Sequence, residues 1–337
     1  MTRWGPCLVA FAAVACLGPG APAARAAELR LCLAQAADYS PVHPTTRFPA
    51  GSTDELAAVV RLAKGEAYRT LVATWTAVQA VGAQPNHVIS RVSIPIHRRD
   101  RAVIHMRSKA GPLPPGTYRL QVAADGTPWP ALDFVVAPVE APVVRAPADM
   151  MPLAPGTVWR YAFEQEFAPG VRPSLPAGTK LDPDGRLRAT LEKTAAGTDA
   201  AGVHIETRRD AVVVEEEWWK LTDAGLAVTK LKSGGEEQTF DPPGAIWPWP
   251  LATPRRWEYA LDASLKQTFR MWGPVPVKGP DGVAPGYIVL MQQPSAPIAL
   301  SVERQYLPGV GMVREIVVQA RNGFMLTRWE SVLVRRP

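Results

Sequence analysis

Residues 311–334 read GMVREIVVQARNGFMLTRWESVLV. Apolar and polar residues alternate on both sides of Asn322-Gly323, the signature of half-buried strands. Asn-Gly suits a two-residue type I′ turn, in which both residues need positive φ. The stretch therefore predicts a hairpin. Similar strand-like runs occupy 158–167, 186–194, 202–210, 212–222, 225–233, 256–262, 266–277, 286–293 and 299–307. Asp184-Gly185, Gly234-Gly235 and Asp281-Gly282 punctuate them. The 35 prolines are scattered through 337 residues and leave little room for long helices. The expected fold class is all-β.

A repeat organises the second part of the chain. Residues 152–163 read PLAPGTVWRYAF and residues 250–261 read PLATPRRWEYAL. Each copy heads a strand-rich half, roughly 151–245 and 246–337. Trp-x-Tyr puts both rings on one face of a strand. The reading is two strand entries in one β domain, with Trp159 and Trp257 directed into the interior between the halves.

The first 26 residues read as a cleaved signal peptide. Arg3 supplies positive charge, Leu8–Leu17 is an apolar run too short to span a bilayer, and Ala24-Arg25-Ala26 fits a cleavage site. Without Arg3 and Arg25, 35 basic residues face 31 acidic ones, a net charge of +4. No long basic block exists, so no nucleic-acid partner is expected. The expected location is periplasmic or secreted. Ala13-Val14-Ala15-Cys16 is a loose acylation motif, and membrane association is expected only if Cys16 carries a lipid. Cys7 also falls in this segment, which leaves Cys32 without an internal disulfide partner; its alternating apolar stretch reads as buried.

Residues 27–137 read as a β-sandwich. Leu29, Leu31 and Leu33 share one strand face. ELAAVVRLA (55–63) and AYRTLVATWTAV (67–78) read as a strand pair around Gly65, although Ser52-x-x-Glu55 also fits a helix cap. HVISRVSIPI (87–96) and RAVIHMRSK (101–109) follow, then PPGTYRLQVAADGTPWPALDFVV (114–136) with an Asp125-Gly126 turn. This last stretch resembles the closing strands of immunoglobulin-like domains of secreted bacterial proteins, through Pro114, Gly116, Tyr118, Phe134 and Val136. Residues 37–51 and Trp75 fit the same pattern loosely. Residues 138–150, rich in Pro, Ala and Val, read as an extended linker.

Residues 151–337 resemble an uncharacterised family of secreted and periplasmic bacterial β-rich proteins. Pro152, Leu153, Gly156, Trp159 and Tyr161 match its early motif. Pro242, Pro243, Pro250, Leu251 and Trp257 match the middle one, and Tyr306, Pro308, Gly309, Val310, Gly311 and Val313 the last. Arg314 replaces the usual Lys, and residues 279–291 depart from the pattern. The resemblance implies a curved, mostly antiparallel sheet, a clam or partial barrel with a concave apolar face. It implies no established activity.

Familiar catalytic patterns are missing. The sequence has no Gly-x-Ser-x-Gly elbow, phosphate loop, dinucleotide fingerprint, His-x-x-x-His or Cys-x-x-Cys. No catalytic residue, metal or cofactor is therefore expected. His97 and His105 could meet across a hairpin turned at Arg98–Asp100, without a third ligand. Asp182-x-Asp184-Gly185 echoes a calcium loop, but Lys193 stands at its twelfth position. In Glu215-Glu216-Glu217 alternation puts Glu215 and Glu217 on one strand face. A solvated edge with Arg208 or Arg209 as partners is the plain reading, and a carboxylate raised by Trp218-Trp219 the catalytic one.

Tryptophan is the remaining resource. Trp159, Trp218, Trp247, Trp249 and Trp257 are the candidate ligand-binding residues, with core packing as the alternative for each. The leading reading is a non-catalytic envelope protein that binds an apolar small molecule or an envelope protein through the C-terminal β domain. A purely structural module that works through sandwich edge strands, or a glycan-active hydrolase, are the alternatives.

Overall fold

The computed structural model describes residues 28–62, 68–96, 101–108, 111–173, 175, 180–260, 266–294, 297–335 and 337. The leader with Cys16, the Gly65 turn, His97 and the Arg98–Asp100 turn lie outside the described residues. Among the described residues the regular structure is strand, apart from one 3-10 turn at Pro147–Asp149, and no helix is long and apolar enough to cross a membrane.

The first part holds β1 (Glu28–Gln35), β2 (Pro41–Pro44), β3 (Arg47–Pro49), β4 (Glu55–Arg61), β5 (Thr70–Ala80), β6 (His87–Pro95), β7 (Arg101–Arg107), β8 (Gly116–Ala124), β9 (Thr127–Pro128) and β10 (Leu132–Ala137). They form two sheets, β2-β1-β4-β7 and β3-β10-β8-β5-β6, with β9 attached to β8. Alternation drives residues such as Leu71, Ala73, Trp75 and Ala77 of β5 to one buried face. Phe134 packs between Trp75, Tyr118 and Phe48. Residues 55–61 are strand rather than helix, and Leu56–Val60 are all buried. Their expected partner is wrong, however. β4 pairs with β1 and β7, while β5 pairs with β6 and β8. β6 and β7 also sit in different sheets, so these two strands do not pair as the expected hairpin. A local turn signal marks a change of direction; it does not say whether the chain returns in the same sheet or crosses to the other.

The second part holds β11 (Val158–Phe167), β12 (Leu187–Asp199), β13 (Gly202–Arg209), β14 (Val212–Thr222), β15 (Gly225–Ser233), β16 (Glu236–Pro248), β17 (Arg255–Ala260), β18 (Lys266–Gly279), β19 (Gly282–Gln293), β20 (Ala299–Leu307), β21 (Gly311–Arg321) and β22 (Phe324–Arg335). They form one antiparallel twelve-stranded sheet, in which each strand pairs with its sequence neighbour except β16 with β17. The first and last strands, β11 and β22, also pair. The sheet is thus a nearly closed barrel whose one open seam lies mid-sequence. Side chains bridge that seam: Trp257 Nε1 donates to Ala245 O at 3.3 Å and Tyr259 OH to Pro242 O at 2.9 Å. Each copy of the repeat precedes a run of six strands, β11–β16 and β17–β22. The Asn322-Gly323 hairpin forms, and both residues have positive φ.

Sequence alternation did not reveal β16. Pro242 and Pro243 interrupt its pattern, and proline cannot donate to a ladder. β16 tolerates them because it is an edge strand, and its pairing with β15 shifts register nearby.

The outer face of β18–β21 is not exposed. Trp272, Ile288, Leu290, Glu303, Gln305 and Val318 project from it and are at most 5% accessible. β3 lies against β18, and Ala36–Pro44 lies against β19–β22. Ala37 N donates to Ser301 Oγ at 2.9 Å and Gln292 Nε2 to Gln35 O at 3.0 Å. Met150 and Met151 are buried after the Pro147–Asp149 turn, and Gly309 N donates to Asp149 O at 2.6 Å.

Candidate functional site

The junction between the small sheets and the barrel holds a cleft of about 400 Å³. Ala34 and Gln35 of β1, Glu55 of β4 and His105 of β7 form one wall. Arg256, Glu258, Thr268, Arg270, Leu290 and Gln292 of β17–β19 form the other. Alternation fixes which barrel residues turn outward. Arg256 pairs with Arg270 and Glu258 with Thr268 on the outer face, and Arg270 and Thr268 pair in turn with Leu290 and Gln292. Trp257 and Phe269 also line the cleft, but their rings stack 5.1 Å apart on the opposite side of the strands.

Charge pairing dominates the cleft. Arg270 Nη2 lies 2.5 Å from Asp54 Oδ1, and its Nη1 lies 2.9 Å from Glu55 Oε2. Arg256 Nη2 reaches Glu55 Oε2 at 2.9 Å and Asp54 Oδ2 at 3.4 Å. His105 Nδ1 lies 3.3 Å from Glu55 Oε1. The Glu55 carboxyl is held down at about 2, chiefly by its hydrogen bond with His105, then by Arg256 and Arg270 against the opposing effect of burial. Arg270 is largely buried and sits 4.6 Å above the Trp272 ring. Adjacent Asp54-Glu55, at the start of β4, thus clamp two arginines from neighbouring barrel strands. No local pattern joins the two halves of this cluster, which lie 201 to 216 residues apart in the chain.

The five candidate tryptophans do not converge on one pocket. Trp159 is fully buried, and its Nε1 donates to Val310 O at 2.9 Å. Trp218 turns outward, stacks on His204 at 4.5 Å, donates to Asp199 Oδ2 and lies beneath Lys230. Trp247, 1% accessible, faces Leu226 across β15 and β16. Trp249 is half-buried beyond the end of β16. Trp257 is half-buried at the seam. A ring's type is legible in sequence; its strand's partners are not.

Glu215 and Glu217 share a face, as their spacing requires, and that face is the barrel interior. Their partner is Lys193, with Nζ 3.0 Å from Glu217 Oε2 and 3.7 Å from Glu215 Oε1. The expected arginine partner is incorrect: Arg208 pairs with Glu206 on the other face. Glu216 points outward to His204 and Lys232. A glycosidase needs two carboxyls flanking a bond with space between them. Here Lys193 fills that space, which argues against the hydrolase.

Asp182 and Asp184 both pair with Arg188, so the calcium-loop echo is an ion-paired turn. Among the described residues no three His, Cys, Asp or Glu side chains gather closely enough to hold a metal ion. Cys32 is inaccessible, and burial pushes its thiol up to about 12, so it is a poor nucleophile.

No family model and no curated protein matches the chain. A solved structure from Bacteroides fragilis NCTC 9343, provisionally described as an exported protein with a YmcC-like fold, is similar over 57% of this chain and all of its own length. Its sequence identity is 14% and its TM-score 0.27.

Proposed function

We propose that the chain is an exported binding protein, without chemistry of its own, that holds a small, neutral, hydroxyl-rich molecule in the junction cleft. The leader-like segment at residues 1–26 supports export. The single observation that carries the ligand assignment is the mutual pairing of charges in the cleft. Asp54 and Glu55 already pair with Arg256 and Arg270. An ionic ligand of either sign would have to displace one of these partners. At the margin, Glu258 holds Lys266 through Oε2, Thr268 Oγ1 donates to Gln292 O, and Gln292 Nε2 donates to Gln35 O. A neutral polar ligand can use the capacity these groups have left, such as Glu258 Oε1 and the lone pairs of Thr268 Oγ1, and leave the pairs intact. The cleft volume falls within the usual range of about 300–1,000 Å³ for small-molecule sites, and such sites favour junctions between structural units. The apolar ligand suggested by tryptophan content fits less well, because these rings are dispersed.

Native mass spectrometry of gently purified protein tests the reading. The expected result is a retained small molecule that partitions into water after denaturation and is absent from the cleft-filling Thr268→Trp variant. Retention of a chloroform-soluble lipid, or equal retention by Thr268→Trp, would overturn it.

A further inference from the structure

The barrel interior carries a charged layer that the junction cleft does not use. On one side, register places Trp159 opposite Lys193, Lys193 opposite Thr207 and Thr207 opposite Glu215, across β11–β14. On the other, Ser331 faces Glu315 and Glu315 faces Arg304, across β20–β22. Glu217 lies two residues from Glu215 on the same strand face. Arg304 Nε contacts Glu315 Oε2 at 2.6 Å, and Lys193 Nζ contacts Glu217 Oε2 at 3.0 Å.

Three carboxylates therefore share two bases. Glu217 and Glu315 each hold one at close range. Glu215 is left with Lys193 at 3.7 Å, the longer of that ammonium's two contacts. It is also the most water-accessible of the three, at 35% for its side chain, against 14% and 15%. Arg304 is 30% accessible as well. Beside Glu215 in the ladder, Thr207 is only 4% accessible and its Oγ1 has no hydrogen-bond partner. A buried hydroxyl without a partner is costly. It stands next to the carboxylate that lacks a close base.

We propose that Glu215 and Thr207 form the receiving end of a second binding site, inside the barrel, for a small primary ammonium ion. An alkylammonium group brings three N–H donors and one positive charge. It would supply the charge that the layer lacks and a donor for Thr207 Oγ1. A calcium ion needs six to eight oxygens, and Glu217 and Glu315 are already engaged by Lys193 and Arg304.

Proton occupancy competes with such a ligand. Burial, then the charge of Glu217, raises the Glu215 carboxyl to about 7, with Glu315 adding to the rise and Lys193 and Arg304 opposing it. Lowering the pH from 8 to 5.5 then reduces its ionised fraction roughly thirtyfold.

Isothermal titration of the full chain with n-butylammonium is the test. Saturable binding is expected at pH 8, weakened at least tenfold at pH 5.5. It should be lost in Glu215→Gln, weakened several-fold in Thr207→Val, and unchanged in Glu216→Gln on the outer face. Tetramethylammonium, which has no N–H, should not compete. Absence of saturable binding to the folded wild-type protein would overturn the proposal. So would equal binding by Glu215→Gln, or equal competition by tetramethylammonium. Circular dichroism of each variant separates lost binding from lost fold.

Discussion

Trp159 and Trp257 occupy one position of a repeated pattern, at the heads of the first and seventh strands of the same sheet, yet only Trp159 is sealed. Trp159 is fully buried and donates to Val310 O at 2.9 Å, next to Tyr161, whose hydroxyl donates to Met312 O at 3.0 Å. Trp257 and Tyr259 are half-buried and donate across the open seam, to Ala245 O and Pro242 O. One motif thus anchors the closed side of the barrel and bridges the open one.

Unequal mutational costs follow. Trp159→Phe leaves the buried Val310 carbonyl without this donor and opens space in the core. It should cost about 2–4 kcal/mol. Trp257→Phe should cost about 1 kcal/mol or less, because water can replace its donor. Urea denaturation reads both as shifts in midpoint at constant slope.

Glu55 makes the junction acid-sensitive. Its folded pKa, about 2, lies below the ordinary unfolded value of about 4.3. A depressed carboxyl stabilises the fold fully above the unfolded value, and this contribution is lost as pH falls from about 4.3 towards 2. Glu55→Gln should lower Tm at pH 7 by roughly 2–5 °C. It should also flatten the acid limb of the Tm–pH curve, which scanning calorimetry would record.

Glu215 has the opposite sign. Its folded pKa, about 7, lies above the unfolded value, so the folded chain binds the extra proton between them. The ionised interior carboxylate therefore erodes stability as pH rises from about 4.3 to 7. Glu215→Gln should raise Tm by about 2 °C at pH 8 and leave it unchanged at pH 4. A constant shift at both pH values would contradict the assignment.

Gly323 links the final hairpin to the first sheets. A Cβ there would overlap the Tyr39 ring, in addition to the strain of φ +81°. Gly235, at φ +86°, has nothing within 4 Å of the same position. Gly323→Ala should therefore cost at least about 1 kcal/mol more than Gly235→Ala. Hydrogen exchange should also speed up around Tyr39 in the first variant alone.

Legibility in the sequence follows the range of each interaction. Asn322-Gly323 and the alternation in β21 and β22 concern near neighbours, and they predict that hairpin. Period two likewise places Glu215 with Glu217 and against Glu216. Identity of the facing group needs the register of two further strands, so no local pattern points to Lys193, and the nearer Arg208 turns to Glu206 instead. β16 was hidden because Pro242 and Pro243 are acceptable only on an edge, and edge status is a property of the whole sheet. The junction cluster of Asp54, Glu55, Arg256 and Arg270 depends on how two sheet systems dock, which no local pattern encodes.

The most direct measurement is a thermal-shift screen of neutral oligosaccharides and polyols against the wild-type chain and Thr268→Trp. At least one compound should raise the wild-type Tm by several degrees in a concentration-dependent way, with no response from Thr268→Trp. Equal responses from both proteins, or stabilisation of the wild type by apolar compounds alone, would contradict the assignment of the junction cleft.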